Sequence, residues 1–199
     1  SYFLYLRMKK TLLILLCLPL LFTACKKDDE ISTINMNNTN LSIGDIYQGG
    51  VIFYLDITGQ HGFVCDFKDL GIAEWGCHDT IIAGADETEI GKGYQNTIDV
   101  EIGCTMPNTA ADYCANSSAQ GYSDWFLPSK DELNQMYLHK TTIQLTDGVT
   151  DFSTTYYWSS SESNSKHDYD PAWGQYFSNG FQYGYDKSSF YSVRAIRAF

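Results

Sequence analysis

The sequence predicts an α+β domain, on three observations. β-rich runs flank turn clusters, once across 51–65 and again around Asn179-Gly180. Two short stretches carry helix-start chemistry, Asn108-Thr109 and Ser129-Lys130-Asp131-Glu132. The remaining segments are long, contain glycine and show little periodicity, so they read as loops. Residues 45–199 suffice for one domain with a real core.

Each element has its own warrant. Val51 to Leu55 is a strand-forming run, Thr58-Gly59-Gln60-His61-Gly62 is a turn cluster, and Phe63-Val64-Cys65 resumes the strand. Glu74-Trp75-Gly76-Cys77 opens a Gly-containing loop that runs to Cys104. Asn108-Thr109 caps a short helix carrying Ala110, Ala111, Tyr113 and Cys114. Ser129 and Glu132 form a capping box after Pro128, and Leu133, Met136 and Tyr137 supply its core stripe. Asn179-Gly180 is a hairpin turn signal. A two-residue turn there pairs Ser178 with Phe181, Tyr176 with Tyr183 and Gly174 with Tyr185 on one face. The other face carries Trp173, Gln175, Phe177 and Gln182, with Trp173 and Phe177 as expected core anchors. Val193 to Phe199 closes the domain as one strand.

The N-terminal region has a different character. Met8-Lys9-Lys10 precedes a Leu-rich apolar run from Thr11 to Leu21, which is short for a membrane span of ~20 residues and fits a secretory signal. It ends in Phe22-Thr23-Ala24-Cys25, which resembles a bacterial lipoprotein cleavage box with Phe22 in place of the usual Leu. The expected organisation is therefore a signal peptide over 1–24, a lipidated Cys25 with a flexible tether over 25–44, and a binding domain over 45–199. The Lys26-Lys27-Asp28-Asp29-Glu30 cluster resembles a surface-export signal; its plain alternative is a solvated linker. An outer-membrane, surface-exposed location follows from that resemblance.

The chain carries a formal charge of −11, and removing 1–24 takes away Arg7, Lys9 and Lys10 but no acid. Nucleic acid is a poor partner for that balance. Outside the signal and lipid site, Cys65, Cys77, Cys104 and Cys114 remain, in an oxidising context if exported. Sequence leaves their pairing open; Cys77 with Cys104 is the preferred pair. No cofactor and no metal is expected. The histidines are isolated, and Asp86-Glu87-Thr88-Glu89 lacks a calcium-loop pattern.

The candidate site is the C-terminal stretch from Tyr156, which holds seven of fifteen tyrosines. Tyr gives rigid amphipathic contact area, and Ser, Gly and Asn give adaptable hydrogen bonding, the mixture of an antibody-like paratope. The expected ligand-binding residues begin with Ser163, Asn164, Ser165, His167, Asp168, Tyr169 and Asp170. The hairpin adds Gly174, Tyr176, Ser178, Asn179, Phe181, Tyr183, Gly184, Tyr185 and Asp186. The last group is Ser188, Ser189, Phe190, Tyr191 and Ser192. No catalytic residue is expected; His61 and Cys65 read as parts of the first hairpin.

Gly121 to Leu133, Tyr157-Trp158-Ser159-Ser160-Ser161-Glu162, Ala172-Trp173 and Val193 to Phe199 together resemble the Lcl C-terminal domain family. The resemblance implies a C-type-lectin-like fold, with two helices flanking a mixed, mostly antiparallel sheet, long loops, and a ligand face near the C-terminus. It extends to the variable lipoproteins of diversity-generating retroelements, in which adenines of a C-terminal cassette are randomised. From Ser163 to Ser192, the residue types such a process cannot write are Lys166, Trp173, Gln175, Gln182 and Lys187. The expected partner is a protein or glycan on another cell, phage or host surface, with the membrane reached through the lipid. The alternatives are a fixed-specificity adhesin, a structural envelope or fimbrial lipoprotein, and, further off, a formylglycine-generating-type enzyme.

Overall fold

The first hairpin forms where its turn chemistry places it. The structure is a computed structural model describing residues 40–164 and 170–199. Strands β1 (Ile46–Tyr47), β2 (Gly50–Leu55) and β3 (Gly62–Cys65) pair antiparallel in sequence order. The pairing of β2 with β3 shifts register between Ile52 and Tyr54, the mark of a bulge that bends the strand. Every residue of β3 is buried.

The closing segment is two strands and not one. β8 (Tyr191–Val193) and β9 (Ile196–Ala198) are separated by Arg194-Ala195. β9 pairs with β3 and completes a four-stranded sheet in the order β1-β2-β3-β9. β8 enters a second sheet beside β4 (Gly71–Ala73) and β5 (Tyr156–Glu162). That sheet continues to β6 (Ala172–Tyr176) and β7 (Gln182–Tyr185), in the order β4-β8-β5-β6-β7. It is mixed, since β5 and β8 run parallel. Arg194 holds the crossing between sheets. Its guanidinium donates to Asp69 at 2.6 Å and to the Asp66 carbonyl at 3.0 Å, above the Phe152 ring. Arg197 grips Asp124 through two nitrogens, at 2.6 and 2.8 Å, over the Tyr122 ring. These partners explain why charged residues occupy a buried closing segment.

Four α-helices lie among the described residues, two more than expected. α2 (Ala110–Ala115) and α3 (Lys130–Leu138) start at the anticipated caps, and both capping boxes are closed. Ser129 Oγ accepts from the Glu132 amide, and Glu132 accepts from the Ser129 amide at 2.7 Å. α4 (Lys140–Gln144) follows α3 directly. The larger correction is α1 (Gly93–Gly103), within the segment read as a loop. It has no apolar stripe to read. Tyr94 and Ile102 face solvent, while Asn96 and Thr97 are buried. Asn96 donates to the Glu87 carbonyl at 2.6 Å and to Ser160 and Ser161 at 3.3 Å. Thr97 accepts from the Leu127 amide at 3.0 Å. This helix docks on the buried serines of β5 through hydrogen bonds, so burial carries no hydrophobic period. A Cβ at Gly93 would lie 2.7 Å from the Ser129 amide nitrogen and 2.8 Å from the Leu127 carbonyl oxygen, so the helix start approaches too closely for a larger residue.

Two apolar clusters fill the interior. One gathers Ile52, Val64, Trp75, Val100, Leu127, Trp158 and Val193, with Tyr185 and Tyr191 packed at its margin. The other gathers Phe53, Phe126, Leu133, Met136, Phe152, Tyr157 and Phe177. Buried indoles find acceptors, as a dry interior requires. Trp75 donates to the Ser159 carbonyl at 2.9 Å and Trp158 to the Ala73 carbonyl at 3.0 Å. Cys77 and Cys104 are joined by a disulfide with Cα atoms 5.6 Å apart, while Cys65 and Cys114 are free and buried.

Candidate functional site

The C-terminal hairpin has a longer loop than its Asn-Gly signal suggests. The pairs are Ala172 with Tyr185, Trp173 with Gly184, Gly174 with Tyr183, and Gln175 with Gln182. Tyr176 faces Phe181, whose carbonyl accepts from the Tyr176 amide at 2.9 Å. The loop is therefore Phe177-Ser178-Asn179-Gly180, two residues off the expected register. A two-residue type I′ turn needs positive φ at both positions. Here Gly180 has φ +82°, while Asn179 is not left-handed. Phe177 supplies the cause: it is buried to 1 % in the core, and its amide donates to the Thr155 carbonyl at 2.9 Å. It cannot slide outward into a longer ladder. A shift of two residues keeps every side chain on its original face, where a shift of one would reverse them.

The aromatic face therefore survives with different cross-strand partners. Its exposed edge is Phe181 and Tyr183, at 59 % and 43 %, with near-parallel rings 6.1 Å apart. Tyr183 lies 5.8 Å from Tyr185, and Tyr185 lies 5.3 Å from Tyr191, both edge-on. Tyr156 stands at the hub. Its ring is 4.7 Å from Tyr176, 4.9 Å from Tyr185 and 4.8 Å from Tyr191. Tyr156 opens the Tyr-rich region but was not among the expected contact residues. The signal was present in its strand parity, since Tyr156 pairs with Tyr176. Burial, together with the hydroxyls of Tyr156 and Tyr191, pushes the Tyr185 phenol up to about 12. It stays a neutral donor and acceptor at ordinary pH.

Beyond β7 the chain turns through Asp186, Lys187 and Ser188. Burial raises the Asp186 carboxyl, but the Ser188 hydroxyl and amide, with His78, hold it below the usual value. Ser188 Oγ donates to it at 2.7 Å, and His78 Nδ1 lies 2.9 Å away. Lys187 points inward. It is fully buried, pairs with Glu162, donates to the Thr80 carbonyl at 2.6 Å and lies over the Trp75 ring. Glu162 also accepts from the Ile82 amide, and burial raises its carboxyl against the pull of Lys187.

The expected contact residues divide. Tyr176, Ser178, Asn179, Phe181, Tyr183, Tyr185, Asp186, Ser188, Ser189, Phe190 and Tyr191 are exposed or half-buried, as are Asn164 and Asp170. Ser163, Gly174, Gly184 and Ser192 are buried and do not present a side chain to solvent. Gly174 lies under the Tyr185 ring, and a Cβ at Gly184 would meet Ser163 Oγ at 3.1 Å. Ser165, His167, Asp168 and Tyr169 lie outside the described residues. Trp173 is not a core anchor: it is half-buried beneath Lys130, whose Nζ is 4.1 Å from the ring centroid. Phe177 alone of that pair enters the core.

Cys65 is fully buried, and burial pushes its thiol up to about 12, which leaves no thiolate at neutral pH. Glu132 closes the α3 cap and accepts from the Gly91 amide at 2.7 Å. Two clefts, of about 520 and 480 Å³, are lined by other residues, among them Tyr113 and Asp112 in one and Tyr94 and Phe126 in the other.

Two sheets, buried indoles and a hairpin with one aromatic face define an α+β domain compatible with the C-type-lectin-like class. The Lcl C-terminal domain family matches residues 79–197, more than half of the chain, and the chain belongs to that family. No curated protein matches it.

Proposed function

We propose that this protein is an outer-membrane lipoprotein, acylated at Cys25, that binds a macromolecular ligand through the ring face of its C-terminal hairpin. The observation that carries the reading is the division of that hairpin. Phe181 and Tyr183 are exposed in a ring cluster backed by Tyr156, Tyr185 and Tyr191. Exposed aromatic patches of this kind mark binding surfaces. The reading is of a binder and not an enzyme: Glu132 is engaged in a helix cap, Glu162 and Lys187 in an ion pair, Arg194 in a strand crossing, and Cys65 is a buried thiol.

The same division supports retroelement diversification of 163–192. The residue types that adenine randomisation cannot write have framework roles wherever they are described. Gln175 donates to Asn134 at 2.8 Å and to the Gly180 carbonyl at 3.0 Å. Gln182 donates to the Lys130 carbonyl at 2.9 Å. Trp173 packs under Lys130, and Lys187 is buried against Glu162. A fixed-specificity adhesin is the second reading, favoured by one observation: Gly174, Gly184, Ser163 and Ser192 are of writable types yet buried.

Sequencing the neighbouring DNA separates the two. A near-copy of the cassette differing only at adenines supports diversification, and its absence leaves the fixed surface. Ligand capture from candidate cells, by parent and Tyr183→Ala protein, tests the face itself. Equal capture by both removes it. A metabolic lipid probe tests Cys25: unlabelled soluble protein ends the lipoprotein reading.

A further inference from the structure

We infer that the ring face takes a cationic partner, a protein surface offering arginine or lysine side chains; this rests on reading the face as a binding surface. Charge placement carries the argument. Segment 163–192 contains two lysines and three aspartates. Lys187 does not reach solvent, because it is fully buried against Glu162, the Thr80 carbonyl and the Trp75 ring. Lys166 and Asp168 cancel formally and lie outside the described residues. Of the described charges in the segment that are not fully buried, Asp170 and Asp186 remain.

Both stand at one end of the hairpin. Asp186 directly follows Tyr185, and Tyr185 pairs with Ala172, two residues after Asp170. Asp186 is held ionised by its Ser188 bonds, and across it His78 bridges to Asp79 at 3.2 Å. Asn164 donates to a further carboxylate, Asp86, at 3.3 Å. Negative charge therefore stands at the end of the hairpin at which Tyr185 joins the ring cluster.

A guanidinium suits both parts. It stacks on an aromatic face and donates paired hydrogen bonds to a carboxylate in one geometry, and an ammonium does so less specifically. Arginine is also among the side chains that dominate protein interfaces. A sulfated glycan or a phosphate chain would meet like charge at this edge, and the net charge of −11 would slow its approach.

The test titrates the full chain with a tetra-arginine peptide, a tetra-glutamate peptide and a sulfated oligosaccharide. Ring resonances of labelled Phe and Tyr are followed by NMR. The arginine peptide should shift Phe181, Tyr183 and Tyr185. Its affinity should fall about fivefold in Tyr183→Ala and in Asp186→Asn. Asn preserves the turn at 186, and a thermal melt checks each fold. Asp147→Asn removes the same charge at an exposed residue elsewhere and should leave the affinity unchanged. Equal loss in Asp147→Asn reduces the effect to overall acidity and overturns the inference. So does silence of the rings to arginine, or their response to the sulfated oligosaccharide instead. In the last case the face remains a binding surface of opposite preference. If the rings ignore every probe and Tyr183→Ala captures as well as the parent, the face reading fails as well.

Discussion

The two faces of the β6–β7 hairpin both carry aromatic residues and behave oppositely. On one face Phe177 is enclosed by Tyr157 at 4.3 Å, Phe152 at 5.2 Å and Tyr137 at 5.5 Å. Gln175 and Gln182 on that face are tied to the α3 region by hydrogen bonds. On the other face the rings touch chiefly one another, and the outermost two stand in solvent. A single strand pair therefore separates a face held by other elements from one whose outer rings stand in solvent. The difference teaches that aromatic content does not mark core; contact with other elements does.

The largest effect should come from breaking the enclosed face. Phe177→Ala removes a ring buried to 1 % and should cost about 3–5 kcal/mol in denaturant unfolding. Trp173→Ala, half-buried on the same face, should cost only about 1–2 kcal/mol. Equal costs would mean that Trp173 is a core residue after all.

The anchor at the hairpin's far end comes next. Lys187→Met leaves Glu162 buried without its cation, a loss of about 3 kcal/mol at neutral pH. The cost should depend on pH. Burial already raises the Glu162 carboxyl, and removing Lys187 lets it rise further. The folded variant then holds that proton more tightly than the unfolded chain, whose ordinary value is 4.5. Its stability is greatest below that value and falls as pH rises through the folded one. The Tm deficit relative to the parent should thus be smaller near pH 4 than near pH 7. A deficit that grows on acidification would contradict the buried pair.

Smaller effects belong to the exposed face. Tyr156→Ala withdraws three ring contacts from Tyr176, Tyr185 and Tyr191 and should lower stability by about 1–2 kcal/mol. It should also speed ring flipping of those three in NMR; unchanged flipping would deny Tyr156 its supporting role. Tyr183→Ala should change stability by less than about 0.5 kcal/mol. It should nevertheless weaken capture of the ligand by about 2 kcal/mol or more, read as a shift in apparent Kd.

Local chemistry determined much of this protein in advance. The capping boxes at Thr109 and Ser129 are short-range reciprocal bonds, so their helices start where the residues say. Strand alternation placed Phe181, Tyr183 and Tyr185 together, because parity survives a two-residue shift. Tertiary contacts decided the rest. α1 was illegible because it buries Asn96 and Thr97 against the β5 serines, with no apolar period. The hairpin register was set by the core's hold on Phe177 and not by Asn179-Gly180. Trp173 stays half-buried with the Lys130 ammonium over its ring, and Tyr156 became a hub only when β8 brought Tyr191 beside it. Lys187 is buried because Glu162, 25 residues earlier in the chain, pairs with it. Each of these outcomes depends on a partner distant in sequence, and propensity and pattern carry no term for such a partner.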